Sequence, residues 1–243
     1  MKSHSDTCRQ RGFTLVEIAI VLMIVGLLIG GILRGQELIQ SARVRNLIDQ
    51  KTAVQTAYIG FMDRYRMLPG DLTATQVATV GSNVIAAPAD TTAGDGLIND
   101  YHHSVVFFQN LTAAGFISCG ACMTVTGTAI PRVSNSLINV YGDYLVAMHL
   151  ASNTTGDGAW FDTTPAPGIT RFIVGTGGSI PSQVMAELDR KADDGLPGTG
   201  QLRFYKMLTS AAADVCAPGM TTTPKVSGWA NPNQANCAAA WLF

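Results

Sequence analysis

From Phe13 to Leu33 the chain runs 21 residues with only Thr14 and Glu17 polar, and no proline interrupts it. At about 1.5 Å per helical residue, such a run spans roughly the 30 Å hydrocarbon core of a bilayer. It is too long for the apolar core of an ordinary secretory signal, about 7–15 residues, and it leads into an amphipathic pattern rather than a small-x-small cleavage site. A helix that is apolar all round needs lipid or other helices around it. Glu17 resists the plain lipid reading, because a carboxylate at depth costs roughly 2.5–3.5 kcal/mol on insertion scales and marks a partnered, functional position. No Lys, Arg or His lies within a helical turn of it after Gly12. The expected partner is therefore on another molecule, or is a new positive charge made by processing. A cut between Gly12 and Phe13 would create one, the Phe13 amine.

At these residues, RGFTLVEIAIVLMIVGLLIGG, the sequence resembles the N-terminal signal of type IV pilins and of the pseudopilins of type II secretion. The leader before it, MKSHSDTCRQRG, is short and net basic, as that family's leaders are. The resemblance implies that a prepilin peptidase cuts after Gly12, that the new N-terminal Phe13 is methylated, and that Glu17 is the assembly carboxylate. It also implies an inner-membrane, single-pass state before assembly, with the leader in the cytoplasm, and a periplasmic or extracellular filament afterwards. The partners it implies are other pilin subunits, the prepilin peptidase, an inner-membrane assembly platform, and the lipid bilayer before assembly. Charge asymmetry does not give the orientation, since Lys2, Arg9 and Arg11 precede the span while Arg34, Arg43 and Arg45 follow it. Many major pilins carry a proline in or just after the apolar stretch; this chain has none before Pro69. Gly26, Gly30, Gly31 and Gly35 could weaken the helix there, at about 1 kcal/mol each relative to Ala, or could allow close helix packing.

Past Leu33 the pattern turns amphipathic, with Leu38, Ala42, Leu47, Val54, Ala57, Tyr58, Phe61, Met62 and Tyr65 mostly at helical spacings. One helix is expected from Phe13 to about Arg66, ending before Leu68-Pro69-Gly70. The expected organisation is a leader over 1–12, a transmembrane or filament-core helix over 13–33, its amphipathic continuation over 34–66, and a globular head over 67–243. From Arg34 to Arg66 there are six Lys/Arg and three Asp/Glu; from Met67 onward there are seven and twelve. A basic stem thus carries an acidic head, and the shortage of cations makes nucleic acid an unlikely partner for that head.

Within the head, Pro69 to Asp100 reads as a long connecting loop. Ser104 to Ile117 reads as a second helix, with Ser104 as cap and Gly115 near its end. The runs LINVYG, YLVAMHL, ITRFIVG and QLRFYKM read as strands, and PSQVMAELDRKAD as a short helix with Pro181 in its first turn. The fold class is α+β: a long N-terminal helix packed on a mainly antiparallel sheet with inserted helices, the architecture of pilins.

Of the five cysteines, Cys8 lies in the leader, and four remain for the head: Cys119, Cys122, Cys216 and Cys237. Four cysteines permit three connectivities. The favoured pairing is Cys216–Cys237 with Cys119–Cys122, and the resemblance supports it, since many pilins carry a disulfide-bounded loop near the C-terminus. CGAC could instead be redox-active or half of a four-thiolate zinc site. In DDGLPGTG, Asp193 and Asp194 are candidate Ca²⁺ ligands, and some pseudopilins bind calcium in a C-terminal loop. The same composition fits a helix-to-strand turn with a solvated acidic tip, and the other alternating oxygen ligands of a calcium loop are missing. Otherwise no cofactor or metal is expected. His102, His103 and His149 lack metal-site spacing, and GTGGS lacks the Lys-Ser/Thr of a phosphate loop. No acid–base constellation points to an enzyme. The expected function is a structural filament subunit. The alternatives are a DNA-uptake pilin or adhesin on the same scaffold, and a membrane-anchored exported enzyme.

Overall fold

A computed structural model describes residues 13–81, 83–85, 93–124, 129–153, 160–161, 170–207, 210, 213–218, 228–230 and 233–243. Its contacts fall into two compact units, Met1–Ala42 and Arg43–Phe243. Helix α1, Leu15–Tyr65, begins in the first and ends in the second.

In the first unit α1 is uncovered on every side. Leu15, Met23 and Leu27 are each more than three-quarters exposed, and the side chains between them are exposed too. The four glycines do not interrupt the helix, and a Cβ added at Gly26, Gly30, Gly31 or Gly35 would meet nothing within 4 Å. No packing among the described residues therefore accounts for them.

In the second unit α1 becomes one-sided. Val44, Leu47, Val54, Ala57 and Phe61 are buried, at steps of three, seven, three and four residues, while Arg45, Asp49, Thr52, Ala53, Thr56 and Asp63 face outward. The helix stops where Arg66 takes a left-handed φ of 57° and its N–H bonds back to Met62 O at 2.9 Å. Gly70 follows at φ +91°, and a Cβ there would stand 2.9 Å from the His103 carbonyl, so only glycine fits against the next large helix.

The stretch expected as loop is more ordered than its composition suggests. A short helix α2, Ala74–Val80, is opened by a capping box between Thr73 and Gln76. The buried Asp71 carboxylate accepts from Gly94 N–H at 2.6 Å and Gly96 N–H at 2.7 Å, which fastens the return of the loop. Helix α3 is Tyr101–Ala113, so it starts earlier than expected, and Asp100 rather than Ser104 is its cap, accepting from His103 N–H at 2.9 Å. Ser104 is buried and its Oγ accepts from Ala147 N–H at 2.8 Å, tying α3 to the sheet. At the other end Gly115, φ +82°, lets Phe116 N–H reach Leu111 O at 2.9 Å, a Schellman closure.

Five strands form one sheet: β1 Val146–Asn153, β2 Trp160–Phe161, β3 Thr170–Gly175, β4 Leu202–Phe204 and β5 Ala239–Leu242, in the order β2-β1-β3-β5-β4. All neighbouring pairs are antiparallel except β1–β2. YLVAMHL, ITRFIVG and QLRFYKM contribute to β1, β3 and β4, but LINVYG is not a strand. It makes one bridge, Ile138 with Tyr144, and then a turn in which Asn139 Oδ1 accepts from Tyr141 N–H at 2.8 Å and Asp143 N–H at 3.1 Å. A strand not expected, β5, sits between β3 and β4 with all four residues buried. Helix α4, Ser182–Ala192, has Pro181 as its N-cap residue rather than in its first turn. A short α5, Ala213–Cys216, completes the elements. The core between α1, α3 and the sheet is aromatic: Tyr58 stacks on Phe172 at 4.8 Å, and Phe107 meets Phe108 edge-on at 5.2 Å. The fold class expected from the sequence, a long helix on a mainly antiparallel sheet with inserted helices, is the one found.

Candidate assembly site at the start of the long helix

Glu17 is the third residue of α1, and Thr14 lies just before the first. The Thr14 N–H and hydroxyl both donate to Glu17 Oε2 at 2.9 Å, and Glu17 N–H donates to Thr14 Oγ1 at 3.2 Å. This is a reciprocal capping box, in which two otherwise unpaired helix-start donors are satisfied at once. Glu17 thus has a hydrogen-bonding partner on its own chain, besides the charged partner expected from elsewhere. The signal was present in the sequence, because Thr-Leu-Val-Glu has the capping-box spacing.

The local bonds do not remove the carboxylate's charge. They fold it back over the helix N-terminus, where the aligned peptide dipoles favour an anion, within one residue of Phe13. Phe13 itself is 83% exposed. Gly12 and the rest of the expected leader lie outside the described residues. What this end of the helix offers is an exposed carboxylate hydrogen-bonded to Thr14, the residue that follows Phe13.

The other candidate residues lie in the second unit. Cys119 is bonded to Cys122 across a 3₁₀ turn at Gly120–Thr124, and Cys216 to Cys237. The second bridge anchors the segment carrying Trp229, whose Nε1–H donates to the buried Asp189 at 2.8 Å. Asp189, Asp193 and Asp194 come together, with one oxygen of each within 4.8 Å of the others. Their oxygens also serve the turn after α4. Asp193 Oδ2 accepts from Gln201 N–H and Leu202 N–H, and Asp194 Oδ1 accepts from Leu196 N–H at 2.9 Å. Asp189, which sequence reasoning missed, is the buried member. Its α4 position was visible but not its orientation.

The three described histidines are engaged by neighbouring groups. His149 Nδ1 accepts from Ile98 N–H at 2.9 Å, and burial pushes its pKa down, with Asp95 and Asp71 opposing. His103 is buried beside Asp100 at 2.8 Å, and His102 Nδ1 lies 3.1 Å from the Ala129 carbonyl.

Comparison with known families finds a match to the prokaryotic N-terminal methylation motif over residues 7–33. No curated protein and no solved structure matches the chain.

Proposed function

We propose that this chain, a prepilin-type methylation signal on a pilin-like α+β fold, is a structural, polymerising subunit of the type IV pilin and pseudopilin class. The observation that carries the proposal is the coincidence of two facts on one stretch: residues 7–33 match the methylation motif, and residues 13–33 are uncovered on every side in the single chain. An apolar helix in that state requires lipid first, and copies of itself once extracted. The function is structural rather than catalytic, and the chain is anchored in the inner membrane before it assembles outside it.

The roles of individual residues belong to this reading. Residues 1–12 are the leader, 13–33 the membrane and filament-core segment, 34–66 the stem, and 67–243 the head. The prepilin peptidase cuts between Gly12 and Phe13, and the new Phe13 amine is methylated and keeps its positive charge. Glu17 of one subunit then neutralises the Phe13 amine of a neighbour on the assembly platform. Removing a lone charge from lipid is worth roughly 2.5–3.5 kcal/mol on insertion scales, and pairing makes that gain available only when subunits meet.

Mass spectrometry of the exported protein is expected to show N-methyl-Phe13 as the first residue; an intact Met1 or a cut elsewhere would sink the proposal. Glu17→Ala should insert and be processed but fail to enter filaments.

A further inference from the structure

Ile98 is bonded twice to one residue of β1. Its carbonyl accepts from His149 N–H at 2.8 Å, and its own N–H donates to His149 Nδ1 at 2.9 Å. The second bond fixes the state of the histidine. A ring nitrogen that accepts must be bare, so the proton of the neutral ring is on Nε2. Nδ1 is then the one place left for an added proton, and a protonated Nδ1 is a donor facing a donor. The Ile98 bond and the imidazolium exclude each other.

The residues around Ile98 are held by carboxylates. Gly94 N–H and Gly96 N–H donate to the two oxygens of Asp71 at 2.6 and 2.7 Å. Asp95 accepts from Leu97 N–H and from Asn99 Nδ2, each at 2.8 Å. Asp95 from this segment and Asp71 from the turn after α1 are also the charged groups that act on His149, and both favour its cation. On β3 the neighbour of the ring is the uncharged Phe172, with centroids 5.2 Å apart. Asp100, the cap of α3, is engaged by His103 at 2.8 Å.

We propose that His149 is an acid-sensitive latch on residues 94–98: the neutral ring holds Ile98 to β1, and a proton taken up at Nδ1 releases the Ile98 N–H and sets the ring in competition for the carboxylates of Asp71 and Asp95. One proton then works on both fastenings, because an oxygen of Asp71 that turns to the imidazolium leaves a glycine amide unbonded. Burial favours the uncharged ring and outweighs the two carboxylates, so the pKa of His149 lies below its ordinary 6.5 and the latch is closed at neutral pH. The released ring binds a proton more readily than the closed one. Opening therefore gains as pH falls from 6.5 through the lowered value, and levels off beneath it. Ile98, whose side chain is fully buried in the same core as Phe107 and Phe172, is the residue that opening brings toward water.

The latch needs only one chain, so the test uses the full chain dispersed in detergent, and its outcome does not depend on whether the chain polymerises. Amide hydrogen exchange is followed from about pH 7.5 to about pH 4.5 and corrected for the intrinsic rate. In the wild type the Ile98 amide should lose protection roughly threefold or more in acid, at up to about tenfold per pH unit, as release coupled to one proton requires, while the amides of β3 keep theirs. His149→Asn puts Oδ1 where Nδ1 stood, an acceptor that takes no charge, and its Ile98 protection should not change with pH. Flat protection in the wild type overturns the proposal. So does a loss shared equally by β3, or an H149N chain that loses protection as steeply as the wild type. A second readout needs no variant: nitrogen NMR of the wild-type His149 ring should show a bare Nδ1 at neutral pH, titrating over the range in which Ile98 loses protection. A proton on Nδ1 at neutral pH, or titration outside that range, also overturns it.

Discussion

Replacing Asp189 by Asn gives a stability change whose sign depends on pH. Asp189 is fully buried in the last turn of α4, and its carboxylate joins three pieces of the head: the helix itself, Gly195 N–H in the following turn at 3.3 Å, and Trp229 in the disulfide-bounded segment at 2.8 Å. Burial pushes its pKa from the ordinary 3.8 up to about 6; the Trp229 and Gly195 bonds oppose the shift, and Asp194 and Asp193 add to it. A carboxyl that holds its proton more tightly folded than unfolded costs the folded state nothing below about pH 4. Its penalty grows between 3.8 and about 6 and is complete above that. A shift of about two units corresponds to about 3 kcal/mol. Asparagine cannot ionise. It can still accept from Trp229 but turns an N–H₂ toward one donor, a fixed cost of about 1–3 kcal/mol at every pH. The difference in stability between D189N and wild type should therefore move by about 3 kcal/mol in favour of the variant from pH 4 to pH 7.5. For a domain of this size that is roughly 6–12 °C in relative Tm. The assay is thermal unfolding of the full chain in detergent with a chelator present, so that no cation neutralises the Asp189–Asp193–Asp194 group. His149, which favours stability in the opposite direction, is common to both proteins and cancels in the difference. A Tm difference that stays constant across this range would refute the reasoning.

Two further perturbations probe how the head is held. Gly60→Ala places a Cβ 2.9 Å from Phe116 Cε1, where α1 receives the ring that follows the Schellman turn of α3; overpacking of about 1–3 kcal/mol outweighs the helix-propensity gain of about 1 kcal/mol. Tm should fall by a few degrees, and Phe116→Leu in the same chain should recover part of it. Cys237→Ser opens a bridge across a sequence separation of 21 residues, and the chain-entropy model gives a loss of roughly 3 kcal/mol. Thermal unfolding should show the Cys237→Ser variant less stable than the oxidised wild type, with the gap closing when both are reduced.

What could be read from the sequence divides along sequence distance. The start of α1 is set by neighbours: the apolar run, the acid at Glu17, and the Thr14–Glu17 spacing all lie within one stretch, and the methylation motif covers the same residues. Glu17 stands out as a candidate for that reason, and its own-chain partner is a hydroxyl and an amide rather than a charge. The head is set by distant residues, and there local pattern misled. Ala239–Leu242 has little strand signature, and only insertion between β3 and β4 makes it one. LINVYG has the signature, but the Asn139 side chain spends its amide on Thr176 O and Gly178 O and turns the chain instead. Ser104 looks like a cap, yet α3 is drawn back to Asp100 because the Ser104 hydroxyl is needed by Ala147 on β1. In each case a long-range hydrogen bond or strand pairing outweighed a local preference worth about 1 kcal/mol or less. The same logic separates the glycines of α1. Gly60 is explained within the chain by the Phe116 ring, whereas Gly26, Gly30, Gly31 and Gly35 meet nothing in it. For those four, the described residues offer no packing partner, in keeping with a stretch of helix that is exposed on every side.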